Sequence, residues 1–186
     1  MTPEELEDEG GRPRAPDVPG LSPAQRAHGG RLAQIHDMYR DELAAVAALL
    51  AEIRAARADP ATLVPVIEGL DLARNLALFG TVCGRECALL KNHHDIEEHW
   101  MFPALAERAD PALQAVIDRL IAEHRVIHAL IADLREAATT LTAQRSPAAF
   151  DACATAFDTL NRAIQSHFGY EETQLHGALG AHAIPI

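Results

Sequence analysis

The stretch HHDIEEHWMFPAL, residues 93–105, has a counterpart later in the chain in HFGYEETQLHGAL, residues 167–179. Aligned without a gap, the two stretches share a histidine, two consecutive glutamates and an Ala-Leu pair. The matched pairs are His93 with His167, Glu97 with Glu171, Glu98 with Glu172, Ala104 with Ala178 and Leu105 with Leu179. In a helix, residues four apart lie on one face. Each stretch therefore predicts a helix that presents an imidazole and a carboxylate side by side, and the repeat predicts an approximate two-fold relation between the two helices.

Outside these stretches, the chain has the signals of long helices. A helix-capping residue is followed by proline, the preferred first residue of a helix, at Ser22-Pro23, Asp59-Pro60, Asp110-Pro111 and Ser146-Pro147. Apolar residues follow at spacings of three and four. Gly29-Gly30 separates a short lead-in from the first main helix, whose apolar stripe runs from Leu32 to Ile53. The other main helices are predicted over about 71–102, 111–141 and 147–179. No segment reads as a strand. We predict an all-α protein with an antiparallel up-down-up-down four-helix bundle.

Composition and charge narrow the possible functions. The chain has 186 residues, 48% of them hydrophobic and only 4% aromatic, and a formal net charge of -11. Such a negative field repels phosphate backbones and anionic lipids, so neither nucleic acid nor membrane is an expected partner. No apolar run approaches the roughly 20 residues that a membrane-spanning helix needs. The acidic N-terminus has no signal-peptide character, so a cytoplasmic location is expected.

The composition changes along the chain and predicts three regions. Residues 1–21 are rich in proline, glycine and acidic residues and offer little apolar surface, which predicts a disordered or loosely attached arm. Residues 22–180 form the predicted bundle, and residues 181–186 form a C-terminal tail.

Histidines and glutamates fall on the inward faces where a bundle would otherwise place leucine. The candidate metal ligands are His36, His93, Glu97, His124, His128, His167 and Glu171. Left unpaired in an apolar core, such groups would each cost several kcal/mol, and metal ions would compensate them. Seven ligands suit two ions about 3.5–4 Å apart. Imidazole with carboxylate suits iron, zinc, nickel or copper, and the lack of thiolates argues against a cysteine-type structural zinc site. A ferritin-like site is excluded because its Glu-x-x-His motif does not occur here.

These residues resemble those of the hemerythrin-like proteins of the HHE cation-binding family. The resemblance covers about residues 30–180. It rests on His36, the run from His93 to Leu105, His124 with His128, and His167 with Tyr170, Glu171 and Glu172. It implies two non-haem iron ions, one bound by His124, His128 and His167 and the other by His36 and His93. Glu97 and Glu171 would bridge them together with an oxo, hydroxo or water ligand. An open position would accept dioxygen, peroxide or another small ligand.

Some residues depart from the family pattern and leave choices open. Glutamates stand both four and five residues after His167, so Glu172 competes with the preferred Glu171 as a bridge. His94 is an additional donor that would fill the open position. Tyr39 and Tyr170 lie one turn from predicted ligands and would bring phenols near the metals. Glu98 is expected to be solvated, and so is Glu172 unless it acts as the bridge.

Three functions fit this interpretation. The first is a di-iron protein that binds or reacts with dioxygen or a related small oxidant, as a sensor, store or detoxifying protein. The second is a di-iron enzyme, of peroxidase, catalase or oxidase type, acting on peroxide or nitric oxide. The third is an iron-sensing or structural metal bundle acting through a protein partner. Zinc or manganese in place of iron, and a monomer or a dimer, remain equally compatible with the sequence.

Overall fold

The computed structural model describes residues 1–56 and 85–186, and within them the chain is helical with no strand. The helices are α1 (Pro3–Glu7), a 3₁₀ turn (Glu9–Gly11), α2 (Pro23–Gly29), α3 (Arg31–Ala56), α4 (Arg85–Ile96), a π-helical turn (Glu97–Met101), α5 (Phe102–Ala106), α6 (Pro111–Gln144) and α7 (Pro147–His182). The all-helical prediction is confirmed for these residues. None of these helices has the length and apolar character needed to cross a membrane.

Three of the four predicted helix starts are confirmed by their caps. Ser22 Oγ accepts a hydrogen bond from the Gln25 backbone, Asp110 Oδ1 accepts two from the first turn of α6, and Ser146 Oγ accepts one from α7. The fourth, Asp59-Pro60, lies outside the described residues, as does most of the predicted helix before residue 85. A fifth start of the same kind was not predicted: Thr2 caps α1 and Pro3 is its first residue.

The described chain divides into two compact units. The first contains residues 1–38, 91–127 and 162–186. Its apolar core is formed by Leu32, Met101, Phe102, Leu105, Leu113, Val116, Ile117, Leu120, Tyr170, Leu175, Ala178, Leu179 and Ile184. All of the grouped imidazoles and carboxylates described below belong to this unit.

Among the described residues, the second unit contains 39–56, 85–90 and 128–161. Phe150 and Phe157 are among its fully buried side chains. Cys153 is buried as well, and burial raises the pKa of its thiol to about 11. At the surface of this unit Arg54 donates to Asp158 over 2.8 Å.

Residues 1–21, for which the composition predicts a disordered or loosely attached arm, belong to the first unit and make specific contacts within it. Leu6 is fully buried and Arg12 is 8% exposed. The Tyr170 hydroxyl donates to the Pro13 carbonyl at 2.7 Å, and the Ala15 amide donates to Gln174 at 2.8 Å. Average composition could not reveal this, because a few specific contacts rather than a broad apolar surface hold the segment.

The predicted tail also packs onto the first unit. Helix α7 continues to His182, and Ile184 is only 3% exposed. The Ile184 carbonyl lies 2.6 Å from His28 Nε2.

Candidate metal centre

Seven buried side chains of the first unit form two groups with the geometry of metal ligands. One group contains His36, His93, Glu97 and Glu171, and the other contains His94, His124 and His167. Within each group the potential ligand atoms all lie within 4.8 Å of one another. Helix α3 supplies one of these residues, α4 and the π-helical turn supply three, α6 supplies one and α7 supplies two.

The two carboxylates connect the groups. Glu97 places one oxygen 3.0 Å from His93 Nε2 and the other 3.5 Å from His124 Nε2. Glu171 Oε2 lies 3.4 Å from His36 Nε2 and 3.8 Å from His167 Nε2. Each carboxylate thus lies close to one imidazole of each group.

Local sequence explains how the donors of α4 reach this position. The Phe102 backbone N–H bonds to the Glu97 carbonyl, five residues earlier, which defines the π-helical turn. Pro103 follows and has no N–H, and its ring would clash with the carbonyl four residues before it in a regular helix. The wider turn accommodates the proline, and such π-turns occur frequently at functional sites.

Aromatic stacking fixes the orientation of the imidazole rings. The Phe168 ring stacks on His36 with centroids 3.8 Å apart, and His94 stacks on His124 with centroids 3.9 Å apart. Phe102 also lies against His124, at 5.6 Å. These rings keep the nitrogen donors in a dry environment.

Three acidic side chains orient three imidazoles from outside. Glu172 lies 2.8 Å from His36 Nδ1, Glu98 lies 2.8 Å from His124 Nδ1, and Glu123 lies 3.0 Å from His167 Nδ1. An ionised carboxylate only accepts hydrogen bonds, so each Nδ1 carries the proton. The Nε2 lone pair of each ring is therefore directed to the grouped donors, as in metal-binding histidines with a carboxylate partner.

Sequence reasoning missed the role of these three acids. Glu98 and Glu172 are predicted to be solvated, but each is only partly exposed and holds an imidazole of another helix. Glu123 attracted no prediction. The sequence does indicate that Glu123 is buried, because it stands three residues after Leu120 and four before Ile127, on the apolar stripe of α6.

Burial dominates the electrostatics of the imidazoles. Burial, together with the charges of His36, His124 and His167, lowers the pKa of His93 to about 2. It also lowers the pKa of His167 to about 3, against the opposing effect of the hydrogen bond to Glu123. These rings are neutral at neutral pH, which is the state that binds metal.

The carboxyl groups are shifted in the opposite direction. Burial raises the pKa of Glu171 to about 8, and the nearby charges of Glu123 and Glu172 add to the rise. Burial and then the charge of Glu171 raise the pKa of Glu97 well above its usual range. A cation at this position would reverse both shifts by favouring the ionised carboxylates.

Orphaned polar atoms indicate that the donor set suits a cation. Both carboxylate oxygens of Glu97 and of Glu171, and Nε2 of His167, are buried and make no hydrogen bond to any of the described residues. Buried polar atoms in native proteins nearly always have a partner, and imidazole nitrogens with carboxylate oxygens are good ligands for first-row transition metals. The residues present therefore fit metal ions.

The structure brings together six of the seven sequence-predicted ligands. His128, the seventh, is half-buried in the second unit and belongs to neither group. His94, the additional donor of the sequence analysis, takes its place beside His124 and His167. Glu171 rather than Glu172 lies in the cluster.

The two tyrosines predicted near the metals lie in different units. Tyr170 directs its hydroxyl to the Pro13 carbonyl, and burial raises its pKa to about 12. Tyr39 is half-buried in the second unit.

Comparison with protein families gives a match to the model of the hemerythrin HHE cation-binding domain over residues 30–179. The chain belongs to the hemerythrin HHE family. This HHE protein is accordingly a helical, cation-binding protein, and its buried histidine and glutamate groups could hold the metal. Neither a comparison with curated proteins nor one with solved structures found a significant match.

Proposed function

We propose that this HHE protein holds two iron ions in an antiparallel four-helix bundle and binds or reacts with dioxygen or a related small oxidant. The observation that supports this most strongly is the position of Glu97 and Glu171, each facing an imidazole of both groups. Bound iron would supply Lewis acidity and one-electron redox chemistry toward a small ligand.

The chain's own residues would hold the two ions unequally. His94, His124 and His167 would bind one ion, His36 and His93 the other, and the two glutamates both. The ion at His36 and His93 then has one imidazole fewer, which leaves room for a small ligand there. Phe168, stacked on His36 and packed against His93, would keep water away from it.

The decisive experiment is elemental analysis of the full chain purified without added metal. We expect two iron ions per chain, and a visible absorption that changes when the reduced protein meets air or peroxide. One ion or none per chain, or a redox-inactive metal pair with no spectral response, would overturn the proposal.

Single substitutions test the ligand set. Glu97→Ala should remove most of the metal, because it takes a bridging donor from both ions. His94→Ala should lower metal content more than His128→Ala does, because His94 lies with His124 and His167. The exposed His182 provides a control, His182→Ala, which should bind metal as the unmodified protein does. Loss of metal in His128→Ala, with His94→Ala unaffected, would restore the ligand set that the sequence predicts.

A further inference from the structure

One of the three orienting acids differs from the other two in its environment. The Glu98 and Glu172 side chains are 32% and 22% exposed, whereas that of Glu123 is fully buried. A buried carboxylate needs compensation for the water that it loses. Glu123 obtains it from two arginines.

Arg12 of the N-terminal arm makes the more deeply buried of these two contacts. Its Nε donates to Glu123 Oε1 at 2.9 Å and its Nη2 donates to Oε2 at 3.2 Å, a two-pronged pairing, while Nη1 reaches the Ser166 carbonyl at 3.3 Å. Arg119 donates to Oε1 at 2.7 Å from the same helix as Glu123 but is more exposed, 18% against 4% for the Arg12 side chain.

Two hydrogen bonds to the same oxygen of Glu123 connect the arm to the candidate metal centre. Glu123 Oε2 accepts from Nη2 of Arg12 and also from His167 Nδ1, at 3.0 Å. The opposite nitrogen of the same ring, His167 Nε2, lies 3.8 Å from Glu171 Oε2. Although burial alone would raise the pKa of Glu123, hydrogen bonds from His167, Arg119 and Arg12 hold it below its usual value. The acid therefore stays ionised while it orients the histidine.

Independent contacts hold the arm in the register that places Arg12. Its guanidinium lies over the Tyr170 ring, 4.6 Å from the centroid, and the Tyr170 hydroxyl bonds to the adjacent Pro13. Val18 packs so closely on Gly177 that a Cβ there would lie 2.9 Å from its Cγ2. In the internal repeat, Gly177 replaces Pro103. The second copy of the repeat thus has the small residue that the arm needs.

We propose that the N-terminal arm completes the metal centre, with Arg12 acting as a positioning residue that holds Glu123 and, through it, the metal-binding orientation of His167. The inference rests on the proposed metal site. Release of the arm would loosen one ligand of the centre and so speed metal loss, which makes arm docking a means of regulating how long metal is retained.

The test measures how fast a chelator removes Co²⁺ from the loaded full-length protein, together with the Co²⁺ absorption spectrum. Arg12→Ala should release metal up to about tenfold faster and alter the spectrum, because it loosens Glu123, and complete loss of such an outer partner of a metal-bound histidine typically costs 10–100-fold in metal affinity. Arg12→Lys should be intermediate, since an ammonium cannot make the two-pronged contact. The matched control is Arg14→Ala, an exposed arginine two residues along the same arm, which should behave as the unmodified protein.

A second variant separates positioning from a general loss of structure. If Arg12 acts through Glu123, then Arg12→Ala should add little to the faster release already caused by Glu123→Gln. Additive effects, or Arg12→Ala releasing metal at the rate of Arg14→Ala, would overturn the inference. Failure of the unmodified protein to bind Co²⁺ would instead count against the proposed metal site, so the two failures are distinguishable.

Discussion

At the scale of single residues, the candidate centre places two buried carboxyl groups among imidazoles, and without a cation no positive charge among the described residues compensates the carboxylates. Neutral imidazoles surround two carboxyl groups whose pKa values are raised by burial. The metal-free protein therefore carries a pH-dependent penalty that can be measured without identifying the native metal.

The sign of this penalty follows from Glu171. Its pKa is about 8 in the folded chain against an ordinary 4.5, so between these values the folded state binds more protons than the unfolded state. Its contribution to stability is lost as the pH rises toward 8. His93 and His167 change stability in the opposite direction. Their pKa values are about 2 and 3 in the folded chain against an ordinary 6.5, so the unfolded state binds more protons and stability is lost as the pH falls below 6.5. Between pH 6.5 and 8 these two histidines do not oppose the carboxyl groups, and the raised pKa values of Glu171 and Glu97 change stability in the same direction.

We predict that Glu171→Gln stabilises the metal-free protein relative to the unmodified chain, by a margin that grows from pH 6.5 to 8. The amide resembles the protonated acid and cannot ionise, so it avoids the cost of keeping Glu171 protonated above its ordinary pKa, which grows by about 1.4 kcal/mol per pH unit. Urea unfolding at several pH values measures the difference. Glu107→Gln, at an exposed position, is the control, and an equal margin at both ends of the range would contradict the prediction.

At the scale of elements, the packing of α2 against α7 depends on two glycines. A Cβ on Gly29 would lie 2.2 Å from the His176 carbonyl oxygen, and one on Gly180 would lie 2.5 Å from the Gln25 carbonyl oxygen. Both neighbours are backbone atoms, which cannot turn aside as a side chain can. The crossing therefore brings α2 close to the C-terminal part of α7, in the unit that holds the candidate centre.

Gly180→Ala should therefore destabilise the protein by about 1–3 kcal/mol, the usual cost of overpacking a close contact. That corresponds to a fall in Tm of roughly 2–4 °C per kcal/mol for a chain of this size. Gly169→Ala is the matched control in the same helix, because a Cβ there meets nothing within 4 Å. It should be neutral or raise Tm, since alanine is the better helix former. A Tm fall shared equally by both variants would count against the close crossing.

The elements also show how far local sequence can be read. Caps at Ser22, Asp110 and Ser146 specify three helix starts because capping needs only neighbouring atoms. Helices α6 and α7 continue three residues beyond the predicted ends at 141 and 179. Gly180 follows the predicted end of α7, but the helix continues through it to His182, because this glycine serves the close contact with Gln25 of α2 and does not end the helix.

At the scale of the whole molecule, metal binding and folding should be coupled. Ligands come from four separate helices, α3, α4 with its π-helical turn, α6 and α7. The unfolded chain cannot bring them together, so bound metal favours the folded state by mass action.

We expect metal loading to raise Tm, and removal by a chelator to lower it reversibly. At a free-metal concentration a hundred times the Kd, one site contributes about 2.7 kcal/mol. Calorimetry of the loaded and metal-free chains measures this, with Glu97→Ala as the control that should gain little from added metal. An unchanged Tm in a chain shown to carry two ions would contradict the coupling.

The sequence by itself determined the helical class, three described helix starts and the family, and it named six of the seven side chains that form the two groups. These properties depend on residues a few positions apart on one helix, such as His93 with Glu97 and His167 with Glu171. Tertiary structure decided what local spacing cannot encode. It selected Glu171 over Glu172, grouped His94 rather than His128 with His124 and His167, and turned Tyr170 toward the arm. It also brought Arg12 to Glu123, a contact across 111 residues of chain, because the partner of a buried charge is fixed by which helices pack together and not by its neighbours in sequence.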